Sequence, residues 1–208
     1  MAVTLVSVSK RFVKRTNESL ALYRSALILP APACERTHAA GKERLVLALH
    51  DTWCQFAREY FTISAFRSPT ASSGSRLAKA PGCPTYAATV RQMRVVNGRP
   101  PRGTWTPKWH FPNALVDLAV RLGLTNESLI SGVLSLPQAN VLADLTTVRN
   151  YVAHRNMTAR RSYIAFASRA ALSRSMPPSL LIDDATFYGA PMYEHWISVL
   201  QYLATTLA

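Results

Sequence analysis

The sequence predicts an all-α protein, a helical bundle with a long basic loop inserted between its second and third main helices. Apolar residues recur at steps of three and four in several segments, which places them on one side of a helix. Hydrophobic residues make up 49% of the 208 residues, enough for a buried core and too many for a disordered chain. No apolar run approaches the roughly 20 residues that span a membrane.

Two helices are predicted ahead of the loop. The first covers about residues 16–29, with Thr16 or Asn17 as its N-cap. The second covers residues 41–66 and carries the clearest apolar stripe in the chain. The members of this stripe are Leu45, Leu49, Trp53, Phe56, Tyr60 and Ile63.

The loop covers residues 68–112, where Pro, Gly and Ser break the periodicity except for one short element around 86–96. Helices are then predicted over 113–122, where Asn113 is the N-cap and Gly123 follows the end, and over 126–134 and 193–207. A third long helix begins near Pro137 and has a stripe of its own, formed by Val141, Leu145, Val148 and Val152. We expect this stripe to share one core with Trp53 and Phe56, within a single domain of residues 1–208.

The distribution of charge indicates a polyanionic partner. The formal net charge is +13, which favours nucleic acid through counterion release and electrostatic steering. Residues 60–116 and 145–182 contain no acidic residue but eight and six basic ones. Codon bias in a GC-rich genome is the alternative, because 19 of the 24 basic residues are Arg. Codon bias would scatter bases among acids, whereas two acid-free blocks predict surfaces that face phosphate.

The number of cysteines and the charge pattern of the first residues indicate the cellular compartment of the protein. Three widely spaced Cys do not form a disulfide framework, which is typical of a reduced, intracellular protein. An apolar stretch precedes the first charges, the reverse of a secretory signal. We therefore expect a cytoplasmic protein that does not enter a membrane.

The segment 148–156 is the sharpest candidate site. Arg149 offers a planar cation suited to phosphate, and His154 is the side-chain type that exchanges a proton near neutral pH. Asn150 precedes His154 by four residues, so the two share a helix face. Arg149 and His154 are about 140° apart around an ideal helix. They would meet at one phosphate only if the helix were distorted or a second chain completed the site.

This segment resembles the HEPN superfamily (higher eukaryotes and prokaryotes nucleotide-binding), in particular its bacterial RiboL-PSP and MAE-like groups. Arg149, Asn150 and His154 match the family's Arg-x4–6-His signature, in which a polar residue often follows the Arg. Three other parts of the chain are also similar to these bacterial proteins. They are the apolar run that leads into the motif, the helix around Trp53, and the segment 109–114 that leads into the next predicted helix. The resemblance covers roughly residues 40–66 and 105–205 and does not explain the basic block from Ser68 to Arg102.

The resemblance implies a metal-independent endoribonuclease that acts as a homodimer on single-stranded RNA, without a cofactor. A ribose 2′-OH would attack the adjacent phosphate. His154 would act as general base or acid, Arg149 would stabilise the developing charge, and Asn150 would orient His154 or the phosphate. It would be a toxin or antiviral effector, with an antitoxin or defence-system protein as a possible partner. Further RNA contacts are predicted at Arg99, Arg102, Arg155, Arg160 and Arg161.

Other functions stay open at this point. A non-catalytic RNA- or protein-binding module on the same fold is the main alternative, since some family members have no activity. Cys34, His38, His50 and Cys54 have zinc-like spacing, so a zinc-organised DNA-binding protein is a third hypothesis. His50 and Asp51 are alternatively a second polar layer of the RNA site or the solvated edge of a helix. Serine-hydrolase, zincin and P-loop motifs do not occur in the sequence.

Overall fold

The computed structural model describes residues 4–28, 35–70, 74, 76–104, 106–186 and 188–208, and within these it describes the backbone alone for 26–28 and 35–38. The prediction of an all-α protein is confirmed, because the described residues are mostly helical and form no β-strand. The helices are α1 (Leu5–Ile28), α2 (Glu35–Phe66), α3 (Tyr86–Val95), α4 (Pro112–Leu122), α5 (Glu127–Leu134), α6 (Val141–His154), α7 (Met157–Arg169), α8 (Pro178–Leu181) and α9 (Met192–Leu207). None of these described helices is long and apolar enough to cross a membrane.

Helix α1 begins far earlier than predicted, and neither Thr16 nor Asn17 is its cap. The hydroxyl oxygen of Thr4 accepts a hydrogen bond from the backbone N–H of Ser7 at 3.0 Å, as an N-cap side chain does. Thr16 lies inside the helix and is fully buried. The apolar residues Leu5, Val8 and Phe12 extend the buried face of α1 toward the N-terminus. The start of α1 therefore follows from the burial of these residues and not from the cap-type residues Thr16 and Asn17.

Helix α2 also extends beyond its predicted start and continues through Gly41 to Glu35. A glycine inside a helix costs about 1 kcal/mol relative to alanine. The two side chains that follow Gly41 tie this part of α2 to other segments, since Lys42 pairs with Asp183 and Glu43 pairs with Arg155.

The later elements match the predictions with small shifts at their ends. The short element in the basic segment is α3, capped by Thr85, whose hydroxyl accepts from the N–H of Ala88. Asn113 is not the N-cap of α4, because Pro112 already occupies the first helical turn. Gly123 ends α4 in the left-handed conformation at φ 62°, as predicted for that glycine. Pro137 opens a short 3₁₀ turn that leads into α6.

The contacts divide the chain into two compact units. The first unit comprises the residues up to Val13, Trp53–Ala139 and Gln201–Ala208, and the second comprises Lys14–Thr52 and Asn140–Leu200. Trp53 and Phe56 belong to the first unit and the α6 stripe belongs to the second, so the expectation that they share one core stays a prediction. Val152 is only half-buried, since it lies in the last turn of α6.

The first unit has an aromatic core. The rings of Phe12 and Phe56 are 4.9 Å apart, and Trp53 contacts both. The hydroxyl of Tyr60 donates to the carbonyl of Leu207 at 2.6 Å and accepts from the amide of Asn126 at 2.7 Å. These hydrogen bonds satisfy polar groups that would otherwise be costly to bury.

The second unit holds the candidate motif. Leu145 and Val148 on α6 are buried, and consecutive helices α6 and α7 pack against each other. The rings of Tyr151 and Tyr163 stack between these two helices with centroids 4.5 Å apart. In α9, the hydroxyl of Tyr193 donates to the carbonyl of Leu45 at 3.2 Å. The motif therefore lies on a helix whose inner face is held by packing.

Candidate functional site

The motif occupies the last two turns of α6. The helix is continuous through His154, and Arg155 follows it in the left-handed conformation, at φ 47°, with its N–H donating to the carbonyl of Tyr151 at 3.0 Å. Asn156 then caps α7, because its side-chain oxygen accepts from the N–H of Ala159 at 2.8 Å. Helix α6 is not distorted within the motif, so Arg149 and His154 lie on different sides of the helix.

The three motif side chains differ in exposure and partners. Arg149 is half-buried, and its Nη1 donates to Oδ1 of Asn150 at 3.2 Å. The Nε of Arg149 is buried and has no hydrogen-bond partner among the described residues. His154 is exposed. Within the described chain no hydrogen bond joins Asn150 to His154, so the amide is engaged by the guanidinium and not by the imidazole.

His50 lies in α2 and is buried, with 6% of its surface exposed. Burial lowers the pKa of His50; the hydrogen bond to Asp51, 3.4 Å from its Nδ1, opposes that shift, and the positive charge of Arg149 adds to it. Because His50 is buried, it does not lie on a solvated edge of the helix, whereas Asp51 is exposed.

The arginines predicted to bind RNA around the motif are not equivalent. Arg155 pairs with Glu43 of α2 at 2.5 Å. Arg160 and Arg161 lie in the first turns of α7, are exposed, and pair with no carboxylate among the described residues. The acid-free block 145–182 therefore contains cations of two kinds. Arg155 is neutralised by Glu43, which lies more than a hundred residues away in the sequence. Arg160 and Arg161 are not neutralised by any described carboxylate.

Arg99 and Arg102 lie elsewhere in the fold. Both are exposed in the segment between α3 and α4. That segment belongs to the first unit, whereas the motif belongs to the second. Their exposure is compatible with phosphate contacts.

The first unit also has a groove that the sequence did not predict. It has a volume of about 650 Å³ and is lined by residues of α1, α2 and α3. The Nη2 of Arg58 donates to the hydroxyl of Tyr86 at 2.8 Å, and the guanidinium of Arg67 lies 5.2 Å from the ring centroid of Phe66. Residues far apart in the chain form this surface, so no local pattern indicates it.

The described residues do not test the zinc hypothesis for Cys34, His38, His50 and Cys54. Cys34 lies outside them, and so does the side chain of His38. Within the first unit, ligand atoms of Cys54 and His110 lie within 4.8 Å of each other. His110 precedes α4, so its nearness to Cys54 depends on tertiary packing and not on spacing in the sequence.

Comparison of the chain with protein-family models, with curated proteins and with solved structures finds no match.

Proposed function

We propose that this protein is a metal-independent endoribonuclease of the HEPN type, which cleaves single-stranded RNA as a homodimer. The observation that carries the proposal is the half-buried guanidinium of Arg149. Its Nη1 is fixed by Asn150 while its buried Nε has no hydrogen-bond partner among the described residues. A phosphate oxygen is the acceptor for which a guanidinium is best suited. Contact with Nε requires the side chain to move, because Nε is shielded from solvent in this conformation.

The second support is the position of His154 at the end of the same helix. Its ring is exposed, so a strand of RNA can reach it. In the proposed reaction the 2′-oxygen of one ribose forms a bond to the adjacent phosphorus as its proton passes to a base. The bond to the 5′-oxygen of the next nucleotide breaks, and that oxygen takes up a proton. His154 serves in these proton transfers, and Arg149 stabilises the charge on the phosphorane.

A homodimer would bring together groups that one chain holds apart. Because α6 is regular through His154, Arg149 and His154 point about 140° apart around the axis. A twofold axis near the end of α6 would place Arg149 of one copy opposite His154 of the other. Twofold dimers are also the commonest symmetric oligomers.

One observation favours the alternative, a non-catalytic RNA-binding module. No described side chain makes a hydrogen bond to His154 that would orient its ring, and a general base is normally positioned by such a partner. Catalytic hydrogen bonds often form only in the substrate complex, so the endoribonuclease is preferred. A role as a toxin or phage-defence effector is a further part of the proposal.

The deciding experiment is cleavage of a single-stranded RNA by the purified protein in EDTA. We expect products with a 2′,3′-cyclic phosphate and a 5′-hydroxyl, identified by mass spectrometry. A strand with one 2′-deoxynucleotide at the cleaved position should resist cleavage there, because the attacking oxygen is missing. Loss of cleavage in EDTA, or cleavage of the deoxy strand at that position, would contradict the mechanism.

A further inference from the structure

A second, basic concavity lies in the same unit as the motif. It is a pocket of about 230 Å³ between the end of α6, the first half of α7 and the segment 174–178. Arg155, Arg160 and Arg174 line it, together with one acid, Glu43. This volume is below the roughly 300–1,000 Å³ of pockets that enclose whole drug-sized ligands. The pocket therefore suits a compact anion.

The charge inside the pocket is unbalanced. Glu43 is already paired with Arg155. Arg174 donates through Nε to the hydroxyl of Ser168 at 3.2 Å, and its terminal nitrogens have no acceptor in the described part of the chain. Arg160 has no side-chain partner there either. Two positive charges thus remain in excess, and both are on guanidinium groups, which bind phosphate oxygens in bidentate fashion.

The rest of the lining carries no charge and includes the hydroxyl-bearing residues Tyr151 and Ser175. Tyr163 is 2% exposed and donates through its hydroxyl to the carbonyl of Met176 at 2.7 Å, which holds the segment 174–178 against α7. Pro177 and Pro178 line the pocket next to it and have no N–H to offer a ligand. The positive charge that would attract an anion into the pocket therefore comes from the arginines.

From this arrangement we propose that the pocket binds the terminal phosphate of an RNA strand, a phosphomonoester. A phosphomonoester carries a charge of about −1.5 to −2 at pH 7, which matches the two uncompensated guanidinium groups. A phosphodiester inside a strand carries only one negative charge and would leave one of them unbalanced. The inference rests on the proposed function, since Arg155 directly follows His154 and the pocket would hold the end of the same RNA.

The test compares short 2′-O-methyl RNA strands, which cannot be cleaved through a 2′-OH. Their affinities are measured by fluorescence anisotropy for strands with a 5′-phosphate, a 3′-phosphate or hydroxyl ends. A hydroxyl-ended strand one nucleotide longer carries nearly the same total charge and serves as the matched ligand. We expect the strand with one of the two phosphorylated ends to bind at least about tenfold more tightly than this longer hydroxyl-ended strand. A tenfold difference corresponds to about 1.4 kcal/mol, which charge-assisted hydrogen bonds can supply.

The variants separate the pocket from general charge. Arg160→Gln and Arg174→Gln should each reduce the preference for the phosphorylated strand several-fold. Arg161→Gln changes the same charge one residue away but lies outside the pocket lining. It should weaken binding of all strands in the same proportion and leave the preference intact. Circular dichroism melts check that each exposed substitution leaves the fold unchanged.

Three outcomes would overturn the inference. The parent could bind the phosphorylated and longer hydroxyl strands equally, or Arg161→Gln could lower the preference as much as Arg160→Gln does. In the third outcome, inorganic phosphate binds in a calorimetric titration and this binding requires Arg160 and Arg174, but the protein does not prefer the phosphorylated strand over the hydroxyl-ended strand. The ligand of the pocket would then be the free phosphate ion. Cleavage without an end preference would leave the proposed function standing, and an end preference without cleavage would leave this inference standing.

Discussion

Nη1 of Arg149 donates a hydrogen bond to Oδ1 of Asn150, 3.2 Å away on the same helix. Neighbouring residues on an α-helix do not normally face each other, so this contact requires the long guanidinium to bend toward the amide. It leaves the buried Nε of Arg149 without a partner among the described residues and the ring of His154 exposed. The two ends of the motif therefore have different environments, and separate substitutions can test each.

Replacing His154 tests the proton-transfer role. His154→Ala and His154→Gln should each lower the single-turnover cleavage rate by at least about 10²-fold, the usual lower bound for general acid–base catalysis. RNA affinity should change little, because one exposed imidazole adds little to binding by a protein with a net charge of +13. His195→Gln is the control, since His195 lies in the same unit but stacks on Tyr188 and is outside the motif. Cleavage by His154→Ala at the parental rate would refute the role.

Replacing Arg149 tests phosphate binding. Arg149→Ala should reduce both RNA affinity and cleavage rate, because a phosphate contact acts in the ground state and more strongly in the transition state. Arg149→Lys should recover only part of the loss, since an ammonium group cannot reproduce the planar fork. Single-turnover rates and binding constants for both variants are the measurement. Full activity in Arg149→Lys would show that a point charge is sufficient.

Mixing the two inactive variants tests the dimer. If Arg149 of one copy and His154 of the other form each site, a hybrid of Arg149→Ala with His154→Ala has one complete site out of two. Random exchange at equal concentrations makes half the dimers hybrids, so about a quarter of parental activity should return. The assay is cleavage before and after the mixture is left to exchange subunits. No recovery, with hybrids demonstrated by mass spectrometry, would mean that one chain holds the whole site.

His50 predicts a pH dependence of stability. Burial lowers the pKa of His50 in the folded protein, and the charge of Arg149 adds to this while Asp51 opposes it. The unfolded chain therefore binds the proton more readily, below about pH 6.5. The contribution of His50 to stability is present above that pH and is lost as the pH falls through the folded-state pKa, at no more than about 1.4 kcal/mol per pH unit.

The measurement is the free energy of unfolding in urea at several pH values from 7 downward. His50→Gln should show a smaller fall between pH 6.5 and the folded-state pKa than the parent does, whatever its stability at pH 7. Parallel curves for parent and variant would contradict the prediction.

The exposed arginines between α3 and α4 predict a salt effect. Arg99→Gln with Arg102→Gln should weaken RNA binding and reduce the slope of log affinity against log salt by up to about 0.7 per lost phosphate contact on a single strand. The cleavage rate of bound RNA should stay at the parental value. Affinity at two or more salt concentrations is the measurement. An unchanged slope would show that these residues do not contact phosphate.

Local sequence signals predicted most elements. The predictive signals are the stripe of α2, Gly123 after α4 and the periodicity of α9. Each of them acts within a few residues, so it can be recognised without knowing the fold. Helix α7 was missed, although Asn156 offers the N-cap signal that would have identified it. The predicted start of α1 is wrong because Thr16 and Asn17 have the residue types of a cap but lie inside the helix, where Thr16 is buried.

The sequence by itself determined the helical class, the excess of positive charge and the motif at Arg149, Asn150 and His154, since composition and spacing are local properties. Only the tertiary structure decided which charges remain available. Glu43 of α2 neutralises Arg155, while Arg160 pairs with no carboxylate among the described residues. A charge pair depends on distances of a few ångströms between distant segments, and those distances are set by how helices pack, which no spacing along the chain records.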